Sequence, residues 1–192
     1  VKVVAPEPKK VVSETAEPKV KPAKPVAKVA EVPQPKRAKT KKSGARALKV
    51  TLKDLPVTVG LWKITRSSLP GDDSIVIVTP TWQMGDNGYI SQIWLTLTSD
   101  KMVVNSSSDI DGKAPGSGIK IDKGKLVSPT RIAENNMAVY DGDWLDTLAS
   151  ADSMDIYMGF FPDRKPRSDT FVSEVSLDKL SKVVATYRKL IQ

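Results

Sequence analysis

All 11 aromatic residues of this 192-residue chain (4 Trp, 4 Tyr and 3 Phe) lie after position 60. That division limits the fold more than any single motif does. Residues 1–47 contain seven prolines and no aromatic residue, so they have little to bury, and the entropy of ordering them is not offset. They are expected to form a disordered Lys/Pro/Ala-rich basic tail or linker, mixing extended polyproline II segments with coil. At roughly 3 Å per residue such a tail reaches on the order of 100 Å when fully extended. Residues 48–192 are close to the usual size for one hydrophobic core and are expected to be a single globular domain.

Charge follows the same division. Residues 1–47 carry 13 of the 30 Lys and Arg residues against 4 Glu, a net charge of +9. Residues 48–192 hold the other 17 basic residues and 18 acidic ones, net −1. The cluster Lys36, Arg37, Lys39, Lys41, Lys42 and Arg46 is dense enough to bind an anionic surface or a polyphosphate without sequence preference. The ordinary expectation for such a run is a solvated spacer. No aromatic residue interleaves with the basic ones, so the tail offers no stacking platform for bases. Its pattern Lys21-Pro22-Ala23-Lys24-Pro25 resembles both linker-histone tails and the periplasmic linkers of TonB-type energy-coupling proteins.

The chain has no Cys and no His. Disulfides, thiolate or imidazole metal sites, Cys nucleophiles and His general bases are therefore excluded. A lack of Cys fits either compartment and favours a periplasmic or secreted protein, where an unpaired thiol is a liability. The first residue is Val rather than Met, and a signal peptide, an inner-membrane anchor or more of the tail is expected upstream of Val1. No apolar run within the chain is long enough to span a membrane.

Within the domain, Met137 to Phe161 is the densest run of interpretable sequence and reads as strand, short helix, strand. Met137 to Tyr140 is an apolar β-type run. Asp141 looks like an N-cap, and Trp144, Leu145 and Leu148 fall at helical spacing, giving a short helix near 142–150. Asp155 to Phe161 is the second strand. Upstream, Val57 to Arg66 reads as one long strand with a bulge at Gly60, where the alternation changes phase. Leu69-Pro70-Gly71-Asp72 is a turn. Ser74 to Thr79 is a buried strand that Pro80 should stop. Gly85-Asp86-Asn87-Gly88 is a hairpin signal. Tyr89 to Ser99 alternates most clearly, with Ile93, Leu95 and Leu97 on one face and Gln92, Trp94, Thr96 and Thr98 on the other. After Met102 to Val104, Asn105 to Gly118 reads as a polar loop. Ile119 to Asp122, Leu126 to Ile132 and Thr170 to Val175 read as further strands. Leu177, Leu180, Val183, Val184, Tyr187, Leu190 and Ile191 form one apolar stripe, a C-terminal helix near 177–191 capped by Ser176. The sum is a mainly β chain: an antiparallel β-sandwich with two helices, preceded by a disordered basic tail.

Candidate chemistry is thin. Asp109, Asp111 and Asp122 near the glycine-rich loop 112–118 look like part of a calcium loop, but the bidentate Glu such a loop needs is missing. Asp141, Asp143 and Asp146 could supply the carboxylate pair of a glycosidase, although acidic residues at a helix start usually answer its dipole. Of the four tryptophans, Trp62, Trp82 and Trp144 are expected in the core. Trp94 shares the polar face of its strand and is a candidate partner contact, as is the basic turn Arg164, Lys165 and Arg167. The chain carries no Walker loop, Rossmann glycine pattern or nucleophile elbow. No catalytic residue, metal ligand or cofactor is expected.

The order of features across residues 57–192 resembles the invasion-associated locus B family, small exported β-sandwich proteins of alphaproteobacteria. The matching phrases are Gly60-Leu61-Trp62-Lys63-Ile64, the strand from Ile75 to Pro80, Gly118-Ile119-Lys120-Ile121-Asp122, and Met137-Ala138-Val139 leading to Trp144-Leu145-Asp146-Thr147-Leu148. Val175-Ser176-Leu177 and the end from Tyr187 to Leu190 complete them. That family usually carries cysteine pairs; this chain has none, so no disulfide carries over. The resemblance implies export and a non-enzymatic role at the cell envelope, and it supplies no binding residues. The leading expectation is a non-enzymatic, envelope-associated interaction or structural module, tethered by its tail and binding a protein partner, a larger envelope assembly or an anionic surface. The alternatives are a nucleic-acid-binding protein that uses the tail, and an Asp-based hydrolase.

Overall fold

The computed structural model of the chain describes residues 45–68, 71–86, 89–161 and 170–192. The turn residues Leu69, Pro70, Asn87 and Gly88 singled out above lie outside the described residues. The described chain is mainly β: two antiparallel sheets, a short helix and a C-terminal helix.

The chain enters through a 3-10 turn at Leu52–Asp54. Strands β1 (Val57–Val59) and β2 (Trp62–Arg66) then pair antiparallel, with Val59 opposite Trp62. The expected single strand with a bulge is therefore a hairpin. Gly60, at φ 64, turns the chain through a two-residue connection. A reversal and a bulge produce the same phase change in sequence, and the left-handed backbone that glycine allows decided for the reversal.

Strand β3 (Ile75–Val78) pairs with β2, and β4 (Trp82–Asp86) follows it. As expected, this strand ends ahead of Pro80, and β4 resumes the pairing after it. β3 and β4 lie in line along the same edge of β5 (Tyr89–Leu97). Val78 faces Thr96 and Trp82 faces Ile93, so three residues, 79–81, oppose Leu95 and Trp94. That is a one-residue bulge, the place where a sheet tolerates a proline that cannot donate.

Strand β6 (Lys101–Ser106) lies between β5 and β9 (Met137–Asp141), and β8 (Arg131–Ala133) closes the edge. The eight-stranded sheet thus runs β1-β2-β3-β5-β6-β9-β8, with β4 also on β5. Two sequence boundaries move. Asn105 and Ser106 belong to β6 rather than to a loop, and both are buried. Leu126 to Ile132 is not one strand: Val127 makes an isolated bridge to Ile119, and only Arg131 onward pairs with β9.

The second sheet has three strands, β7 (Gly118–Ile121), β10 (Ser153–Gly159) and β11 (Thr170–Ser176), in the order β11-β10-β7. Helix α1 (Leu145–Ser150) begins later than expected. Asp141 ends β9 instead of capping it, and the Asp143 carboxylate accepts the Leu145 amide at 3.0 Å. Helix α2 (Leu180–Leu190) is also shorter than expected. The Leu177 amide still donates to the Asp152 carbonyl at 3.1 Å, which extends the β11 pairing and leaves Ser176 in the strand. The chain has to turn through Lys179, at φ 64, before the helix can start.

One cluster of buried side chains joins the sheets and helices. It includes Trp62, Ile77 and Leu95 from the large sheet, Ile156 and Met158 from the small one, and Leu148, Leu180 and Val183 from the helices. Each such side chain stabilises the fold by roughly 1.5–3 kcal/mol. Tyr140 sits in this core, 1% exposed, edge-on to Trp144 at 6.1 Å, with a hydroxyl that has no hydrogen-bond partner among the described residues. Burial pushes its phenol well above the ordinary range. A buried, unbonded hydroxyl costs more than its absence. Tyr140→Phe is therefore expected to raise stability by up to about 1 kcal/mol in thermal or urea denaturation. A loss of more than that would mean the hydroxyl has a partner.

Candidate functional site

Lys36, Arg37, Lys39, Lys41, Lys42, Arg164, Lys165 and Arg167 lie outside the described residues. Arg46 is exposed. Two residues on, the Leu48 amide donates to Thr186 Oγ1 at 3.0 Å and fixes this part of the chain on α2. Trp94 lies half-buried on the outward face of β5, opposite Asn105. The Asn105 side-chain amide donates to Thr96 Oγ1 at 3.0 Å and to the Trp94 carbonyl at 3.3 Å. Val103 and Val139, on the same outward face, are buried. Trp62 and Trp144 are core residues, whereas Trp82 is half-buried and donates through Nε1 to Ser173 Oγ at 2.8 Å.

The grouped aspartates have structural partners. Asp141 pairs with Arg131. Arg188 on α2 reaches Asp146 at 2.8 Å and Asp143 at 3.5 Å, tying the two helices together. The guanidinium pKa is raised, first by its hydrogen bond to Asp146. These pairs are largely exposed and hold geometry more than they add stability. Two of the three loop aspartates have side-chain hydrogen bonds in separate places, and Asp109 accepts the Phe161 amide through its backbone carbonyl at 3.0 Å. Asp111 Oδ1 accepts the Lys113 amide, and Asp122 Oδ1 accepts the amides of Asp152 and Ser153. Among the described residues no three acidic side chains gather where they could hold a metal ion.

A concave feature of the domain lies elsewhere. An open groove of about 240 Å³ runs between the β3–β4 bulge and β11. Its walls are Leu61, Pro80 and Trp82 on one side and Glu174, Val175 and Ser176 on the other. That volume is below the usual range for cofactor or drug-sized ligands and suits one or two side chains.

β11 pairs only with β10, so its second edge is open among the described residues. The Leu177–Asp152 hydrogen bond sets the phase of the ladder. In an antiparallel pair, bonded positions alternate. Val175, Ser173 and Phe171 therefore bond to β10, and Val172, Glu174 and Ser176 turn their backbone N–H and C=O groups outward. Glu174 faces Asp155 on β10, which faces Lys120 on β7. Lys120 Nζ sits 4.6 Å from the centre of the Tyr157 ring. Neither Glu174 nor Asp155 makes an ion pair among the described residues.

Sequence reasoning did not single out this site. The one signal for it is Glu174 in the middle of the last strand, since a charge there is a common mark of an edge. Among the described residues no helix is long and apolar enough to cross a membrane. No family model, curated protein or solved structure matches the chain.

Proposed function

We propose that this chain is a non-enzymatic interaction module of a bacterial envelope, in which the β-sandwich docks a protein partner and residues 1–47 act as a basic spacer. The observation that carries this reading is the open edge of β11 beside an apolar groove, in a domain whose grouped aspartates serve caps and ion pairs. A free strand edge with an adjacent side-chain pocket is a recurring way for β domains to hold extended segments. The resemblance to the invasion-associated locus B family supports export and an envelope setting. The charge division supports a tail that spans distance or touches an anionic surface while the nearly neutral domain does the selecting.

The test is affinity capture from the native source with the full chain and a chain beginning at Ala45, each at low and high salt. One protein that stays with both chains through high salt is the expected result. The tail's 13 basic residues favour a second reading, nucleic-acid binding. In that case recovery requires residues 1–44 and falls steeply with salt, because phosphate contacts release counterions. That outcome would replace the docking module with a basic arm.

A further inference from the structure

Resting on the docking-module reading, we infer that the open edge of β11 takes up an extended, lysine- or arginine-bearing peptide strand of a partner protein, with an apolar side chain of that strand seated in the adjacent groove. Val172, Glu174 and Ser176 present three consecutive sets of outward backbone groups. A strand laid beside them sends its side chains alternately to the two faces of the sheet. On the inner face the next side chain meets Leu61, Pro80 and Trp82, in a space the size of one or two side chains. On the outer face it meets Glu174.

Charge selects among possible occupants. Glu174 and Asp155 stand side by side with no cation paired to either among the described residues. Lys120, the cation next in that row, sits over Tyr157 instead. A basic side chain opposite Glu174 completes the row. A second copy of this chain does the reverse. Its full-overlap antiparallel pairing through positions 172, 174 and 176 centres on Glu174 and sets two carboxylates against each other, which disfavours the pair. Val172 is 61% exposed on the same edge, so an uncharged residue at position 174 would leave a sticky edge. The glutamate keeps copies apart and admits a basic strand.

The test uses the isotope-labelled full chain and a capped heptapeptide of alternating valine and lysine. Binding is expected to shift the amide signals of Val172, Glu174 and Ser176 and slow their hydrogen exchange. Methylating the peptide nitrogens along one edge removes the ladder and is expected to weaken binding at least tenfold. Glu174→Lys, or glutamate in place of lysine in the peptide, is expected to weaken it about fivefold. Unchanged amides at these three positions, equal binding of the methylated peptide, or self-association of the chain that the peptide cannot displace would overturn the inference. Val172→Pro separates the two levels. It removes one outward N–H and no ladder bond, so the domain should keep its fold. A native partner that this variant still holds leaves the docking module standing and removes strand addition. A full chain that captures no partner removes the docking module, whatever the peptide does.

Discussion

Gly118→Ala is expected to lower stability by about 3 kcal/mol, a fall of roughly 10 °C in Tm. Two effects coincide at this position. Gly118 has φ 153, a conformation that residues with a Cβ rarely adopt, and such strain costs about 1–3 kcal/mol. An added Cβ would also overlap the Val127 carbonyl oxygen and come within 3.2 Å of Leu126 Cδ1. The Val127 segment cannot move away freely. Ile119 and Val127 exchange both backbone hydrogen bonds, at 2.9 and 2.8 Å, just beyond the clash. Forcing it outward breaks those bonds or pulls β7 off β10, where Gly118 itself faces Tyr157. Gly116 supplies the control. It also has a positive φ, 79, but nothing lies within 4 Å of the place a Cβ would take, so Gly116→Ala should cost only about 1 kcal/mol. Equal losses in the two variants, measured by urea titration, would remove the steric part of the argument.

What the sequence made legible was whatever has a local period. The alternation through Ile93, Leu95 and Leu97 fixed the inner face of β5, and those residues are fully buried. The stripe Leu180, Val183, Val184 and Tyr187 fixed the buried face of α2. The misses share a cause, a partner distant in sequence. Asn105 and Ser106 look like loop residues because they are polar. They are buried because Thr96 accepts from the Asn105 amide and the Ser91 hydroxyl meets the Ser106 hydroxyl at 2.8 Å. Helix α2 starts late because Leu177 is held by Asp152. The groove is the extreme case. It draws on a hairpin turn, a bulge and the last strand, and each of these segments alone is an ordinary piece of a β domain.

The same distance explains why the tryptophans mislead. The polar neighbours of Trp94 in β5 point to an exposed ring, yet its face also holds the buried Val103 and Val139. Trp82, expected in the core, is half-buried and lines the groove while bonding to Ser173. Alternation tells which face a residue occupies. What covers that face is set by chain that returns much later.

Thr79→Val is expected to cost about 2 kcal/mol although it keeps shape and volume. At the bulge the ladder is one residue out of step, and Pro80 has no N–H to offer. Thr79 spans the gap with both of its polar parts. Its amide donates to the Leu95 carbonyl at 3.1 Å, and its hydroxyl accepts the Leu95 amide at 2.9 Å, in place of a strand carbonyl. Thr79 is 6% exposed and Leu95 fully buried, so water cannot take over the abandoned amide. Thr79→Ser keeps the acceptor and should lose about 1 kcal/mol, the worth of one buried methyl group. A Thr79→Val loss no larger than that of Thr79→Ser would mean that the strand has slipped its register to satisfy Leu95. Such a slip erases the bulge, and Thr79, Pro80, Thr81 and Trp82 form one wall of the groove. The heptapeptide therefore reports on the same hydroxyl from the other side. A Thr79→Val chain that stays stable should lose the peptide, and one that loses stability but keeps its register should still bind it.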